Sequence, residues 1–161
     1  MLSAVIRANG RTEALAATLS VLIPAVAGGT IGHAVVIGTG DDNETERLAD
    51  VTGASYVAAR NGAGWAPGVE RARGDWVLLL EAGDLPEPNW TEAVERHLMT
   101  AAAMPALMPL RGIAALREWG AVSLRSRGVR AGLIASKKQL LSGRLPASPR
   151  RLAVRRGRAQ A

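Results

Sequence analysis

The stretch GDWVLLLEAGD, from Gly74 to Asp84, decides how the rest of the chain is read. Trp76-Val77-Leu78-Leu79-Leu80 is a continuous apolar run, with a Gly-Asp turn before it and acidic residues and glycine behind. A run this short with such flanks reads as a strand buried on both faces, the habit of a central strand in a parallel sheet. Glu81 and Asp84 then stand where the strand leaves the core. In open α/β sheets, ligands bind outside the carboxyl ends of the strands. Two carboxylates separated by Ala82-Gly83 can hold a hard divalent cation and, through it, a phosphate. The same residues also suit a plain polar turn with both carboxylates solvated.

The segments before this strand alternate. Leu2 to Ile6 is an apolar run ending at Arg7, and Asn9-Gly10 supplies a turn. Thr12 is positioned as an N-cap for a helix from Glu13 to about Ile23, with Leu15, Leu19, Leu22 and Ile23 at helical spacing and Pro24 at its end. Ala34 to Ile37 is a second apolar strand, followed by the polar loop Gly38 to Asn43. A second helix starts near Asn43 or Thr45, turns Leu48 and Val51 inward and stops at Gly53. Tyr56 to Ala58 is a third strand, and Trp65 to Arg73 a short helix. Four strands alternating with three helices predict a parallel sheet covered by helices on both faces.

Beyond Asp84, Pro86 and Pro88 enforce an extended link, and Asn89 caps a helix reaching Met99. Met104 to Arg111 reads as irregular or as an edge strand. Ala121 to Leu124 and Gly132 to Ala135 read as strands, and Ser136 as the cap of a helix from Lys137 to Leu141 stopped by Gly143. Leu152 and Val154, among arginines, suit a final edge strand or a tail.

The 161 residues fit one domain, with Leu, Val, Ile and Ala filling a core that has no Phe and one Tyr. The absence of cysteine excludes disulfides, thiolate metal sites and a cysteine nucleophile. The net charge of +6 is unevenly spread. Residues 1–118 carry 9 basic and 14 acidic side chains, and residues 119–161 carry 11 basic and none acidic. Such a basic part is solvated by default and can otherwise contact an anionic membrane surface. Nucleic acid is the weakest of its partners, because one Trp is the sole aromatic residue among those charges. Arg7, Arg11 and the apolar run Ala14 to Ala27 imitate a secretory signal, but Glu13 interrupts it, so a cytoplasmic location is expected, with peripheral contact at the inner face of the membrane as an option. His33 and His97 have no partner at metal-ligand spacing and read as structural. Trp65, Trp76 and Trp90 flank the presumed site, where a tryptophan can stack on a sugar ring but more often is core or rim.

These segments, in order, resemble the inverting family 2 glycosyltransferases. SAVIRANGR resembles that family's SVVIPTYNR, and VVIGTGDDNETERLA its IVVDDGSTDGTAEIA. ARNGAGWAPGVERARGDWVLLLEAGD resembles the stretch from its RN-G turn to its D-A-D-D strand end, and AGLIASKKQLLSG a later strand leading into a helix. The resemblance implies a GT-A-like three-layer α/β/α sandwich with a mostly parallel central sheet. Residues 1–118 would form the nucleotide-sugar-binding core, and 119–161 would complete the same domain, with an end that can be a flexible tail. It implies transfer of a sugar from a nucleotide-diphosphate donor to an unknown acceptor hydroxyl, with inversion. Arg7, Ala8, Gly38, Thr39, Asn61 and Glu81 would contact the donor, and Asp84 with Glu81 would hold Mg²⁺ or Mn²⁺.

The departures from the family pattern bear on chemistry. Gly38 and Thr39 replace the acidic pair that holds the nucleotide base, leaving Asp41 or Asp42 to compensate. Gly83 stands in place of the principal metal ligand. The catalytic base is unassigned: no acidic residue follows Glu118, so Glu118 or Glu87 would have to be recruited. The rival reading is a silent relative that keeps the fold as a binding or scaffold protein.

Overall fold

The computed structural model describes residues 1–60, 63–101, 103–112, 128–143, 145 and 148–159. In chain order these form β1 (Leu2–Arg7), α1 (Thr12–Ala27), β2 (Ile31–Gly38), α2 (Asn43–Val51), β3 (Ser55–Ala58), α3 (Ala66–Arg71) and β4 (Trp76–Glu81). There follow β5 (Asp84–Pro86), α4 (Trp90–Ala101), β6 (Ala106–Leu107), β7 (Leu133–Ser136), α5 (Lys137–Ser142), β8 (Arg150–Arg151) and β9 (Arg156–Arg158).

The apolar run of β4 lies where the sequence places it. Val77 to Leu80 are fully buried, and β4 pairs with β1 on one side and β7 on the other. The large sheet has the order β3-β2-β1-β4-β7-β6-β8. Its first four strands are parallel, whereas β7 runs antiparallel to β4 and to β6. Two apolar clusters cover its faces. On one, Leu15, Leu19 and Leu22 of α1 meet Ile6, Val36 and Leu80. On the other, Val69 of α3 and Leu140 of α5 meet Val5, Val35 and Leu79. Alternate residues of one strand thus feed opposite clusters, as the pleat requires.

Several boundaries differ from the sequence reading. α1 continues through Pro24 to Ala27, because Pro sacrifices one backbone donor while Gly28 still bonds the Pro24 carbonyl at 2.9 Å. Its N-cap is Arg11 rather than Thr12, whose hydroxyl instead lies 3.0 Å from that of Thr45. In α2 Leu48 packs partly buried against the core as expected, beside the fully buried Thr45 and Ala49, whereas Val51 is exposed at the end of the helix. α5 forms with the expected Ser136 cap, completed into a capping box by Gln139, and ends at left-handed Gly143. The strand expected at Ala121 to Leu124 lies outside the described residues.

The basic end is ordered by a second small sheet. β9 pairs antiparallel with β5, setting Arg158 opposite Asp84 and Arg156 opposite Pro86. The final arginines therefore reach back to the carboxyl end of β4. Among the described residues, no helix is long and apolar enough to cross a membrane.

Candidate functional site

β1 and β4 are neighbours at the sheet centre, yet β1 is followed by strands on one side and β4 lies on the other. This reversal opens a crevice at their carboxyl ends, the position where open α/β sheets take ligands. Register sets Arg7 opposite Glu81 there. Arg7 Nη2 donates to Glu81 Oε1, and the Arg7 guanidinium lies over the Trp65 ring, 4.2 Å from its centroid. Arg158 Nη2 donates to Glu81 Oε2 at 2.9 Å. Burial pushes the Glu81 carboxyl up, but hydrogen bonds from Arg158 and Arg7, with their charge, outweigh it and hold the group below its ordinary value.

Asp84 sits deeper and is fully buried. Its Oδ1 accepts from Arg156 Nη1 at 2.7 Å and lies 3.2 Å from Arg158 Nε, while Oδ2 accepts from the Glu81 N–H at 2.9 Å. Arg156 is itself fully buried and also donates to the Met108 and Ala131 carbonyls. Burial pushes the Asp84 carboxyl up, and the charge of Arg156 is the main force opposing it. Space for this guanidinium comes from Gly132, at φ +82°, where a Cβ would fall 2.5 Å from Arg156 Nε and 2.3 Å from the Met108 carbonyl.

The two carboxylates do not form an open pair of metal ligands. Three of their oxygens accept from guanidiniums and the fourth from a backbone N–H. Among the described residues, no group of three or more His, Cys, Asp or Glu could hold a metal ion. Gly83, at the family's metal-ligand position, has φ +94°, and its N–H donates to Thr18 Oγ1 at 2.8 Å and to the Ala14 carbonyl at 3.0 Å. The residues present therefore do not fit a cation held by protein side chains alone. The resemblance could not expose this, because the arginines lie more than seventy residues from their partners.

Of the expected donor contacts, Arg7, Gly38 and Thr39 come together in one cleft with Ala59, Arg60 and Gly64. Its volume is about 50 Å³, well below the roughly 300–1,000 Å³ of occupied ligand pockets. Ala8 is fully buried, and its N–H bonds the Ile37 carbonyl at 2.9 Å. Asn61 lies outside the described residues. Tyr56, unflagged by the sequence, accepts from the Gly40 N–H at 3.2 Å and borders the glycine loop. Asp42 is committed to Thr45 as the cap of α2, and hydrogen bonds from Thr45 hold its carboxyl below the ordinary value.

A larger cleft of about 460 Å³ lies beside α1, lined by Arg11, Glu13, Ala14, Glu44 and Ala159 among others. Arg11 and Ala159 also border Gly83, which places this cleft next to the arginine-bound carboxylates. Of the carboxylates considered for a catalytic base, Glu87 accepts from the Arg155 N–H at 3.0 Å, and Glu118 lies outside the described residues. Trp90 is buried in the core. His97 is buried and donates through Nε2 to the Met104 carbonyl, and His33 bonds Ser55, so both serve the scaffold.

No family model matches the chain, and no curated protein matches it in sequence. Solved structures do match. Glucosyl-3-phosphoglycerate synthase from Mycobacterium tuberculosis, with Mn²⁺, UDP and glucosyl-3-phosphoglycerate, superposes with a TM-score of 0.68 at 18% identity, covering 100% of this chain and 72% of that one. The same enzyme with Mn²⁺ and UDP-glucose gives 0.63 at 22% identity, covering 87% and 57%. With Mg²⁺ and UDP it gives 0.67 at 17% identity, covering 100% and 72%. The likeness shows the fold: a GT-A-like α/β architecture with a mostly parallel central sheet, as the resemblance implies. The ions in those structures are of the Mg²⁺ or Mn²⁺ class that the resemblance also implies. This chain spans 57% to 72% of these neighbours' length.

Proposed function

We propose that the protein binds a nucleotide-diphosphate sugar in the crevice between β1 and β4 and transfers the sugar to an acceptor hydroxyl with inversion. One observation carries this reading. Arg7, Gly38, Thr39 and Glu81 meet at the carboxyl ends of three adjacent strands, in a fold whose solved neighbours bind UDP and UDP-glucose. The nucleoside would occupy the cleft over Gly38 and Thr39, bordered by Tyr56. The diphosphate would cross the guanidiniums at Arg7 and Arg158, and the sugar would extend toward the larger cleft beside Arg11.

In the reaction, the acceptor oxygen attacks the anomeric carbon from the face opposite the diphosphate. The bond from that carbon to the diphosphate oxygen breaks, and the nucleoside diphosphate departs with the bonding pair. Positive charge fixed beside the leaving group stabilises the transition state without reorganisation. The acceptor's proton must pass to a base within hydrogen-bond reach. Glu13 and Glu44, which line the larger cleft, are the carboxylates to substitute first in locating it.

Calorimetric titration with a panel of nucleotide sugars tests the reading, on the wild type and on Thr39→Trp, which fills the small cleft. Binding of one donor, lost in a folded Thr39→Trp variant, is the expected result. A folded wild type that binds no donor overturns it.

A further inference from the structure

We infer that the donor's diphosphate is neutralised in this chain by guanidiniums, principally Arg158 and Arg7, and that donor binding needs no divalent cation. The inference rests on the donor reading above and assigns the groups that meet its phosphates.

Charge is the first argument. Among the described residues at this end of β4, Arg7, Arg11, Arg156 and Arg158 stand around Glu81 and Asp84, with Arg11 Nη1 3.5 Å from the Ala82 carbonyl. Three guanidiniums paired with the two carboxylates leave a net positive charge where a divalent cation would otherwise sit, with Arg11 at the edge of the cleft that Glu13 and Glu44 also line. The usual role of such a cation, offsetting charge on a leaving diphosphate, is thus already supplied by the protein.

Geometry is the second. The Arg7 and Arg158 side chains are each 30% exposed, whereas Arg156 and Asp84 have no exposure at all. The buried pair forms a fixed support, and the outer two guanidiniums are partly open to solvent, with Arg7 lining the cleft over Gly38 and Thr39. Glu81 accepts from both through different oxygens, so its carboxylate marks a position where an anion bridges them. A phosphate offers the same acceptor geometry with more charge, and planar guanidiniums bind it through paired N–H donors. Arg156 is a positioning residue here: it acts by holding Asp84, and through it β9.

The closure of the carboxylates is the third. A metal at Glu81 and Asp84 would have to displace Arg156 from a site where it makes at least three hydrogen bonds in full burial. That leaves an uncompensated buried charge, which is strongly unfavourable.

The two modes of diphosphate binding give opposite signs for one substitution. If Glu81 competes with phosphate for the arginines, Glu81→Gln tightens binding. If Glu81 holds a metal, Glu81→Gln weakens it. The experiment titrates the full chain with inorganic pyrophosphate and with UDP by calorimetry, in EDTA and in Mn²⁺, with folding of each variant checked by circular dichroism. The expected result is binding in EDTA that changes less than twofold with Mn²⁺, weakens about tenfold in Arg158→Gln, and tightens in Glu81→Gln. Arg150→Gln, an exposed arginine away from the cluster, should leave it unchanged. Binding that appears only with Mn²⁺, or is lost in Glu81→Gln, overturns the inference and leaves the donor reading standing. Binding equally weakened by Arg150→Gln shows diffuse attraction to the basic surface and overturns the inference. No binding of either probe under any condition overturns both.

Discussion

Arg156 and Asp84, seventy-two residues apart in sequence, form an ion pair at 2.7 Å with both side chains fully buried. This contact brings one arginine of the most basic stretch of the chain into its interior. It also explains why the acidic end of β4 is closed to direct metal coordination. Two charges removed from water are tolerable only when both partners and their remaining donors are satisfied. Arg156 meets that condition through the Met108 and Ala131 carbonyls, and Asp84 through the Glu81 N–H.

Arg156→Met should therefore destabilise the protein by up to about 3–5 kcal/mol, because it removes the buried partner of Asp84 and leaves only the partly exposed Arg158 beside that carboxylate. The double variant Arg156→Met with Asp84→Leu should recover much of that loss. Urea denaturation of the two proteins measures the difference, and equal instability would show that packing of the arginine stem, not charge pairing, dominates.

Gly132→Ala should cost about 1–3 kcal/mol from the φ of +82° alone, with more from the clash of Cβ against the Met108 carbonyl. A thermal midpoint unchanged from wild type would rule out the cramped passage described for Arg156.

Gly83→Asp restores the family's residue at that position, yet should not create a metal site. A φ of +94° is strained for aspartate, at about 1–3 kcal/mol, and the neighbouring carboxylates stay bound to arginine. The expected outcome is a lower thermal midpoint with no Mn²⁺ binding by paramagnetic resonance. Tight stoichiometric Mn²⁺ would contradict the closed arrangement.

His33 should make stability pH-dependent. Burial lowers its pKa from the ordinary 6.5, and the charges of Arg73 and Arg71 lower it further. Above that value the folded and unfolded chains both carry neutral histidine, and its contribution is fully present. As pH falls below 6.5 the unfolded chain takes a proton that the fold resists, so stability drops until folded His33 is itself protonated. Urea midpoints between about pH 7.5 and about pH 5.5 should fall in wild type and fall less in His33→Asn.

Ser136→Ala removes half of a capping box on a helix of six residues and should cost about 1 kcal/mol. Chemical denaturation checks this, with Lys138→Ala, an exposed position on the same helix, as the comparison.

The resemblance was legible because it lies in local patterns. The apolar run Val77 to Leu80, the helical spacing of Leu15, Leu19 and Leu22, and the Ser136 to Gly143 cap-and-stop pair each record a choice made within a few residues. The place of Glu81 at the carboxyl end of a central strand followed from the same patterns, whereas its adjacency to Arg7 came from the strand order. Arg156 and Arg158 were not legible. Their only local sign is a spacing of two residues, which sends both side chains to one side of a strand, and nothing in RGR says which carboxylates lie opposite.

The sequence by itself determined the order of elements, the parallel core of the sheet and the strand ends where ligands bind, because hydrophobic period and turn chemistry act over short distances. The tertiary structure alone decided what the charged groups at those ends do. Pairing of β9 with β5 sets the arginines against Asp84 and Glu81. The energy of a charge depends on which partner stands within a few ångströms and on how much water remains, and both are set by contacts between segments more than seventy residues apart.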